Sequence, residues 1–253
     1  MIRDLLCLDH FYVGFDSRTI ADFKKLSKLL TRCDYSEVRS GKDTWRGVYL
    51  SAADGTYFEM IDSGKDGDKY SAGIAASAWK VQYVDLRKIR EEEPRLPWES
   101  YIRYWRKTRQ KWFTGVRLKD PVSGKKGVRP LSTWLMHYHQ LHESNLTLEH
   151  TPFTVERFKS MRLTLGADYR ERVQQMSAIL PGKNHFGRNQ ALLTIPVKGG
   201  REFNVEIKFV KGSELAQLVD LVADAGPAAK RVRATLGGYG LEMDSKRVRL
   251  FRV

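Results

Sequence analysis

LLCLDHFYVGFDSRTIADFKKLSKLL, residues 5–30, changes its hydrophobic period half-way along. Up to Phe15 it is dense in aromatic and aliphatic residues without a helical repeat, which reads as a strand. Asp16-Ser17 then offers an N-cap, after which Ile20, Phe23, Leu26, Leu29 and Leu30 recur at the spacing of one helix face. Three β-rich segments follow, YSEVRS (35–40), WRGVYLS (45–51) and TYFEMID (56–62), divided by turn residues at Gly41-Lys42-Asp43 and Asp54-Gly55. The order is β-α-β-β-β, with Gly73-Ile74-Ala75 and WKVQYVDL (79–86) extending or following the unit.

The last third repeats that order. KSMRLTLGAD (159–168) reads as a strand, YRERVQQMSAIL (169–180) as a helix stopped by Pro181-Gly182, and QALLTIPV (190–197) with REFNVEIKFV (201–210) as a hairpin across Gly199-Gly200. GSELAQLVDLVADA is read as a further helix, and VRLFRV as part of a closing element. Val13-Gly14-Phe15-Asp16 lies over Leu165-Gly166-Ala167-Asp168, and Tyr57–Ile61 over Asn204–Lys208, at offsets of 152 and 147 residues. The expectation is an α+β fold of tandem βαβββ modules forming a cupped mixed sheet. The first module spans 1–86, and the second, with a C-terminal helix, spans 151–253. Residues 87–150 stand between them as a basic, aromatic-rich connector, read as helical because Tyr101, Trp105 and Trp112 fall near one helix face.

Charge singles out the connector as well. The chain of 253 residues carries 44 Lys and Arg against 30 Asp and Glu, a net +14, and between Arg87 and Arg129 14 cations stand against five acids. Such a field attracts polyanions, so nucleic acid enters as a candidate partner through Arg103, Arg106 and Lys107. No stretch of 18 apolar residues occurs, and Asp4 and Asp9 interrupt any apolar leader, so no membrane is expected and a cytoplasmic protein, monomer or homodimer, is the simplest reading. Cys7 and Cys33 have no CxxC spacing and fit reduced thiols. P-loop, GxGxxG and GxSxG patterns are missing, which argues against nucleotide-dependent and serine-hydrolase chemistry.

LDHFYVGF and DGTYFEMID resemble the first and fourth strands of the vicinal oxygen chelate superfamily, which includes glyoxalase I, the bleomycin- and fosfomycin-resistance proteins and the extradiol dioxygenases. HFYV, WRGVYL, TYFEMID, SAGIA and WLMHYH, in that order, look like an uncharacterised glyoxalase-like family. The resemblance covers most of residues 5–140 and more weakly 160–210. It implies a divalent metal ion (Zn, Ni, Mn or Fe) held between paired modules, with His10 and Glu59 as ligands at matching strand positions. The second module departs from the pattern: Arg162 stands where a histidine is expected and cannot ligate a metal, while Glu206 keeps the carboxylate position.

The expected site is therefore a cavity shared by the two modules. His10, Glu59 and His139, or His137 in its place, are the candidate metal ligands; Glu59 and Glu206 are the candidate catalytic carboxylates; Arg162, Tyr12 and Tyr57 are the candidate substrate contacts. Alternatively, Arg162 replaces the metal and grips an anionic substrate. The implied activity is a glyoxalase-like lyase, isomerase or dioxygenase reaction on a small oxygenated substrate. The alternatives are a non-catalytic protein that sequesters an anionic or aromatic compound, and a polyanion binder acting through the connector.

Overall fold

The computed structural model describes residues 2–40, 43–63, 69–78, 84–104, 110–119, 128–139, 152–212 and 216–253. Strand β1 (Cys7–Phe15) leads into helix α1 (Ser17–Phe23), whose start is capped by the Asp16 carboxylate accepting from the Thr19 N–H at 2.9 Å. Strands β2 (Cys33–Ser40), β3 (Asp43–Ser51) and β4 (Tyr57–Asp62) complete the expected βαβββ unit. The same order then restarts with β5 (Lys69–Ser77), α2 (Leu86–Glu92), β6 (Trp98–Tyr104), β7 (Lys111–Leu118) and β8 (Val128–Tyr138). β1 pairs parallel to β4 and antiparallel to β5, so the two units join into one eight-stranded sheet of order β2-β3-β4-β1-β5-β8-β7-β6.

The helical connector is thereby corrected. Trp98–Tyr104 and Lys111–Leu118 are strands paired with each other, and Tyr101, Trp112 and Phe113 cluster with Tyr138. Trp105, Arg106, Lys107 and Arg109, and with them His142 and most of WKVQYVDL, lie outside the described residues.

A second sheet is built in the same way. β9 (Val155–Gly166), α3 (Arg170–Ile179), β10 (Lys183–Phe186), β11 (Gln190–Val197) and β12 (Arg201–Val210) form one unit. β13 (Gln217–Ala225), β14 (Val232–Leu236), β15 (Tyr239–Met243) and β16 (Arg247–Arg252) form the other, giving the order β10-β11-β12-β9-β13-β16-β15-β14. Within GSELAQLVDLVADA, expected as a helix, Gln217–Ala225 is therefore strand β13. No helix of the described residues is long and apolar enough to cross a membrane.

The two sheets meet through their apolar faces. Phe11 of β1 stacks on Phe203 of β12 with ring centroids 4.7 Å apart and meets Phe158 of β9 edge-on at 5.1 Å. One contiguous core runs from Leu6 to Leu250 and takes in the buried faces of all three helices. Because side chains alternate across a strand, the residues flanking these core positions point out of the sandwich. On the first sheet they include His10 and Tyr12; on the second, Arg162 and Glu206.

Candidate functional site

The outer face of the first sheet gathers the titratable groups that the core excludes. Strand alternation alone would send Asp9 to the core side with Phe11. A register shift between Leu8 and His10 in the β1–β5 ladder makes Asp9 an extra residue, and as in a β-bulge its side chain turns to the same face as His10. Both side chains are buried, and the His10 Nδ1 lies 2.5 Å from the Asp9 Oδ1. Ser77 Oγ donates to the Asp9 Oδ2 at 2.6 Å, and the Tyr138 hydroxyl donates to Oδ1 at 3.3 Å. Asp9 is thus held from β5 and β8 while it orients the imidazole on β1.

β4 brings the second carboxylate. In the parallel β1–β4 register His10 stands beside Tyr57 and Tyr12 beside Glu59, so the imidazole and the Glu59 carboxylate occupy neighbouring positions on one face. The His10 ring stacks on Tyr57 (4.4 Å, 16°) and meets Trp134 of β8 at 5.2 Å in an edge contact. Burial by itself pulls the His10 pKa down, but the Asp9 hydrogen bond and the charges of Glu59 and Asp9 outweigh it, and the net shift is upward. Glu59 is also pushed up: burial raises it, the His10 cation draws it down, and Asp9 raises it further. Burial and the same negative charges hold the Tyr57 and Tyr138 hydroxyls well above the ordinary phenolic range, so both stay protonated donors.

The expected residues are only partly brought together. His10, Glu59, Tyr12 and Tyr57 share this face. His139 does not: on β8 Tyr138 points to Asp9, so His137 and His139 project from the other side, where the His139 Nε2 is 2.7 Å from the Thr114 Oγ1 and the two imidazoles lie 5.1 Å apart. Arg162 and Glu206 are also elsewhere. They pair at 3.2 Å on the outer face of the second sheet, each about half exposed, with the full thickness of the core between them and His10. The shared cavity of the sequence reading is corrected for a packing reason: the sheets bury their apolar faces against each other, which turns the polar faces apart.

On the second sheet that outer face is a ladder of alternating charge. Arg162 neighbours both Glu206 and Asp220 in register, Arg249 grips Asp220 through two contacts at 2.8 and 3.1 Å, and Arg233 pairs with Glu242 at 3.1 Å. An imidazole is missing from these pairs. The acid–base constellation belongs to the first sheet.

The donor set decides how a metal would fare. His10 offers Nε2 and Glu59 its carboxylate, but among the described residues no three His, Cys, Asp or Glu side chains converge on one point. A catalytic zinc ordinarily takes three protein ligands. These residues do not make a divalent-ion site as placed.

Asp9, Ser77, Trp134 and Tyr138 were not singled out from sequence. For Asp9 a signal exists: Leu6 and Leu8 keep one alternation phase and Phe11, Val13 and Phe15 the other, so the phase change marks the extra residue.

No protein-family model matches the sequence, and no curated protein matches it. Solved structures do. The chain is similar to a hypothetical protein from Staphylococcus aureus, at 9% identity over 92% of this chain and 96% of that one, with a TM-score of 0.51. It is also similar to BphC, a halotolerant catechol dioxygenase (9% identity, 85% and 68% of the chains, TM-score 0.43), and to a Mn(II)-bound glyoxalase from Novosphingobium aromaticivorans (10%, 82% and 84%, 0.34). The fold is a repeated βαβββ arrangement, and it is shared with the Staphylococcus aureus protein. At such identities the likeness is one of backbone, and chemistry has to be argued from the site.

Proposed function

We propose that the outer face of the first sheet is the active site of an enzyme that moves a proton on a small oxygenated substrate, in the manner of an isomerase or lyase. The observation that carries this reading is the buried Asp9–His10 pair. Asp9 engages Nδ1, which fixes the ring and leaves Nε2 as the working nitrogen, the arrangement by which carboxylates prepare histidine bases. The upward shift of His10 supports a role near neutral pH, where general acid–base catalysis is most effective. In this proposal neutral His10 takes a proton from carbon next to a substrate carbonyl and returns it to a neighbouring atom. Glu59, at the neighbouring position on the same face, accepts a hydrogen bond from a substrate hydroxyl. Asp9 positions and Tyr57 packs the imidazole. The divalent-ion chemistry implied by the resemblance is not part of the proposal, because His139 and Glu206 lie away from His10 and Glu59.

The test is exchange of carbon-bound hydrogen for deuterium in D2O, followed by NMR on a panel of small hydroxy-ketones and 2-oxo acids. Catalysed exchange is expected from the wild type, a fall of about 10²–10⁴-fold in H10A, and no change in R162A. Exchange that survives H10A sinks the proposal. The sequestration reading is separated by the same assay, since a pure binder exchanges nothing.

A further inference from the structure

The site face continues beyond His10 as a paved surface that ends in cations. Gly73 lies under Tyr12: a Cβ there would come 2.2 Å from the ring, so the tyrosine lies flat on the backbone of the neighbouring strand. Gly115 lies under Tyr101 in the same way, at 2.5 Å. Tyr12 also lies near Trp134, with centroids 5.7 Å apart, and Phe113 packs between Tyr101 and Tyr138. The floor between the imidazole and Tyr101 is therefore made of ring faces and edges, with small residues beneath.

Two guanidinium groups stand over the far end. The Arg103 and Arg117 carbons each lie 5.6 Å from the Tyr101 ring centre. The Arg117 Nε donates to the Glu99 carboxylate at 2.7 Å, and both of those side chains remain partly exposed. The strand register places Arg117 beside Trp134, Trp134 beside Ala75, and Ala75 beside His10. Three strand spacings separate the ends of that row, about 14 Å between backbones. Ala75 and Trp134 lie between them in the row, and a floor of that length suits a ligand of one ring. The face is polarised too, since Asp9 and Glu59 occupy the imidazole end, while at the other Arg103 and Arg117 outnumber Glu99.

We infer that this face selects aromatic monocarboxylates. The ring lies on the pavement of Tyr12, Trp134 and Tyr101, the carboxylate reaches Arg117 and Arg103 in exchange for Glu99, and the reacting group is presented to His10. The inference rests on the reading of this face as the substrate site. It names the charge of the substrate and the residues that read it, with Arg117 as the principal specificity determinant because a planar fork takes a carboxylate in two contacts.

The experiment is calorimetric titration of the full chain at low salt with 4-hydroxybenzoate and with its neutral isostere 4-hydroxybenzamide. The wild type is expected to bind the acid at least tenfold more tightly. R117Q is expected to lose most of that preference while binding the amide unchanged, R103Q to lose less, and R117K to fall between R117Q and wild type; amide binding checks that each variant is folded. H10A is expected to keep the preference. Equal affinity for acid and amide, no binding of either, or a preference that survives R117Q together with R103Q overturns the inference. If the preference holds while deuterium exchange fails, the catalytic reading falls and the selectivity for aromatic acids stands.

Discussion

Asp9 and His10 are adjacent in the chain, which in an unbroken strand would place them on opposite faces. The bulge between Leu8 and His10 sets them side by side, and the charge of Asp9 then opposes the effect of burial on the imidazole. D9N is therefore expected to lower the His10 titration midpoint, since the hydrogen bond to a carboxylate and its charge are lost while burial stays. E59Q should lower it by less, because Glu59 acts on His10 through charge alone. Proton NMR of the imidazole Cε1–H reads both; a D9N midpoint at or above wild type would contradict the assignment. The sign for stability follows from the direction of both shifts. His10 and Glu59 each have a folded pKa above the ordinary value, 6.5 and 4.5 respectively, so the stability they contribute is full below those values and is lost as pH rises through the folded pKa. Urea unfolding should accordingly show a stability loss on going from acid to mildly alkaline pH that is reduced in E59Q. His10 and Glu59 entered through the resemblance, and the β1–β4 register sets them on one strand face. Asp9 was legible only as a change of phase.

At the scale of elements, the readings that failed share a cause. In QLVDLVADA the buried Leu218, Leu221 and Ala223 are spaced partly as a helix face would be, because a register shift between Leu218 and Asp220 moves the strand out of alternation. In β6 and β7 the aromatic residues Tyr101 and Trp112 fall near a helical spacing by coincidence, on two strands paired with each other. The α3 helix was legible throughout, since Val173, Met176 and Ile179 hold one face and Pro181-Gly182 stops it. Its Arg172 performs a task that no pattern announces. The guanidinium is buried and donates to the carbonyls of Leu118 at 3.1 Å, Lys119 at 3.0 Å and Leu131 at 3.4 Å, tying a helix of the second half to the ends of β7 and β8. R172A strips these carbonyls of a charged donor inside the fold, and a loss of about 3 kcal/mol is expected by urea denaturation. R172K should recover less than half of it, since an ammonium cannot span the same carbonyls. An R172A variant as stable as wild type would remove this role.

The whole molecule is two sheets that share one core, with Phe11 at the seam against Phe158 and Phe203. F11A is expected to cost about 3–5 kcal/mol. The unfolding of wild type and variant should remain a single transition by fluorescence and circular dichroism, because neither sheet can keep its apolar face dry alone. Two separated transitions would mean that the halves fold independently. The βαβββ order, the duplication and the strand phases of His10 and Glu59 were determined by the sequence by itself, because hydrophobic period and turn residues are local properties. Which faces meet is not local. Only the packing of the two apolar faces decided that Arg162 and Glu206 lie on the far side of the molecule from His10, and only the β1–β5 pairing with its register shift brought Asp9 to the face of His10.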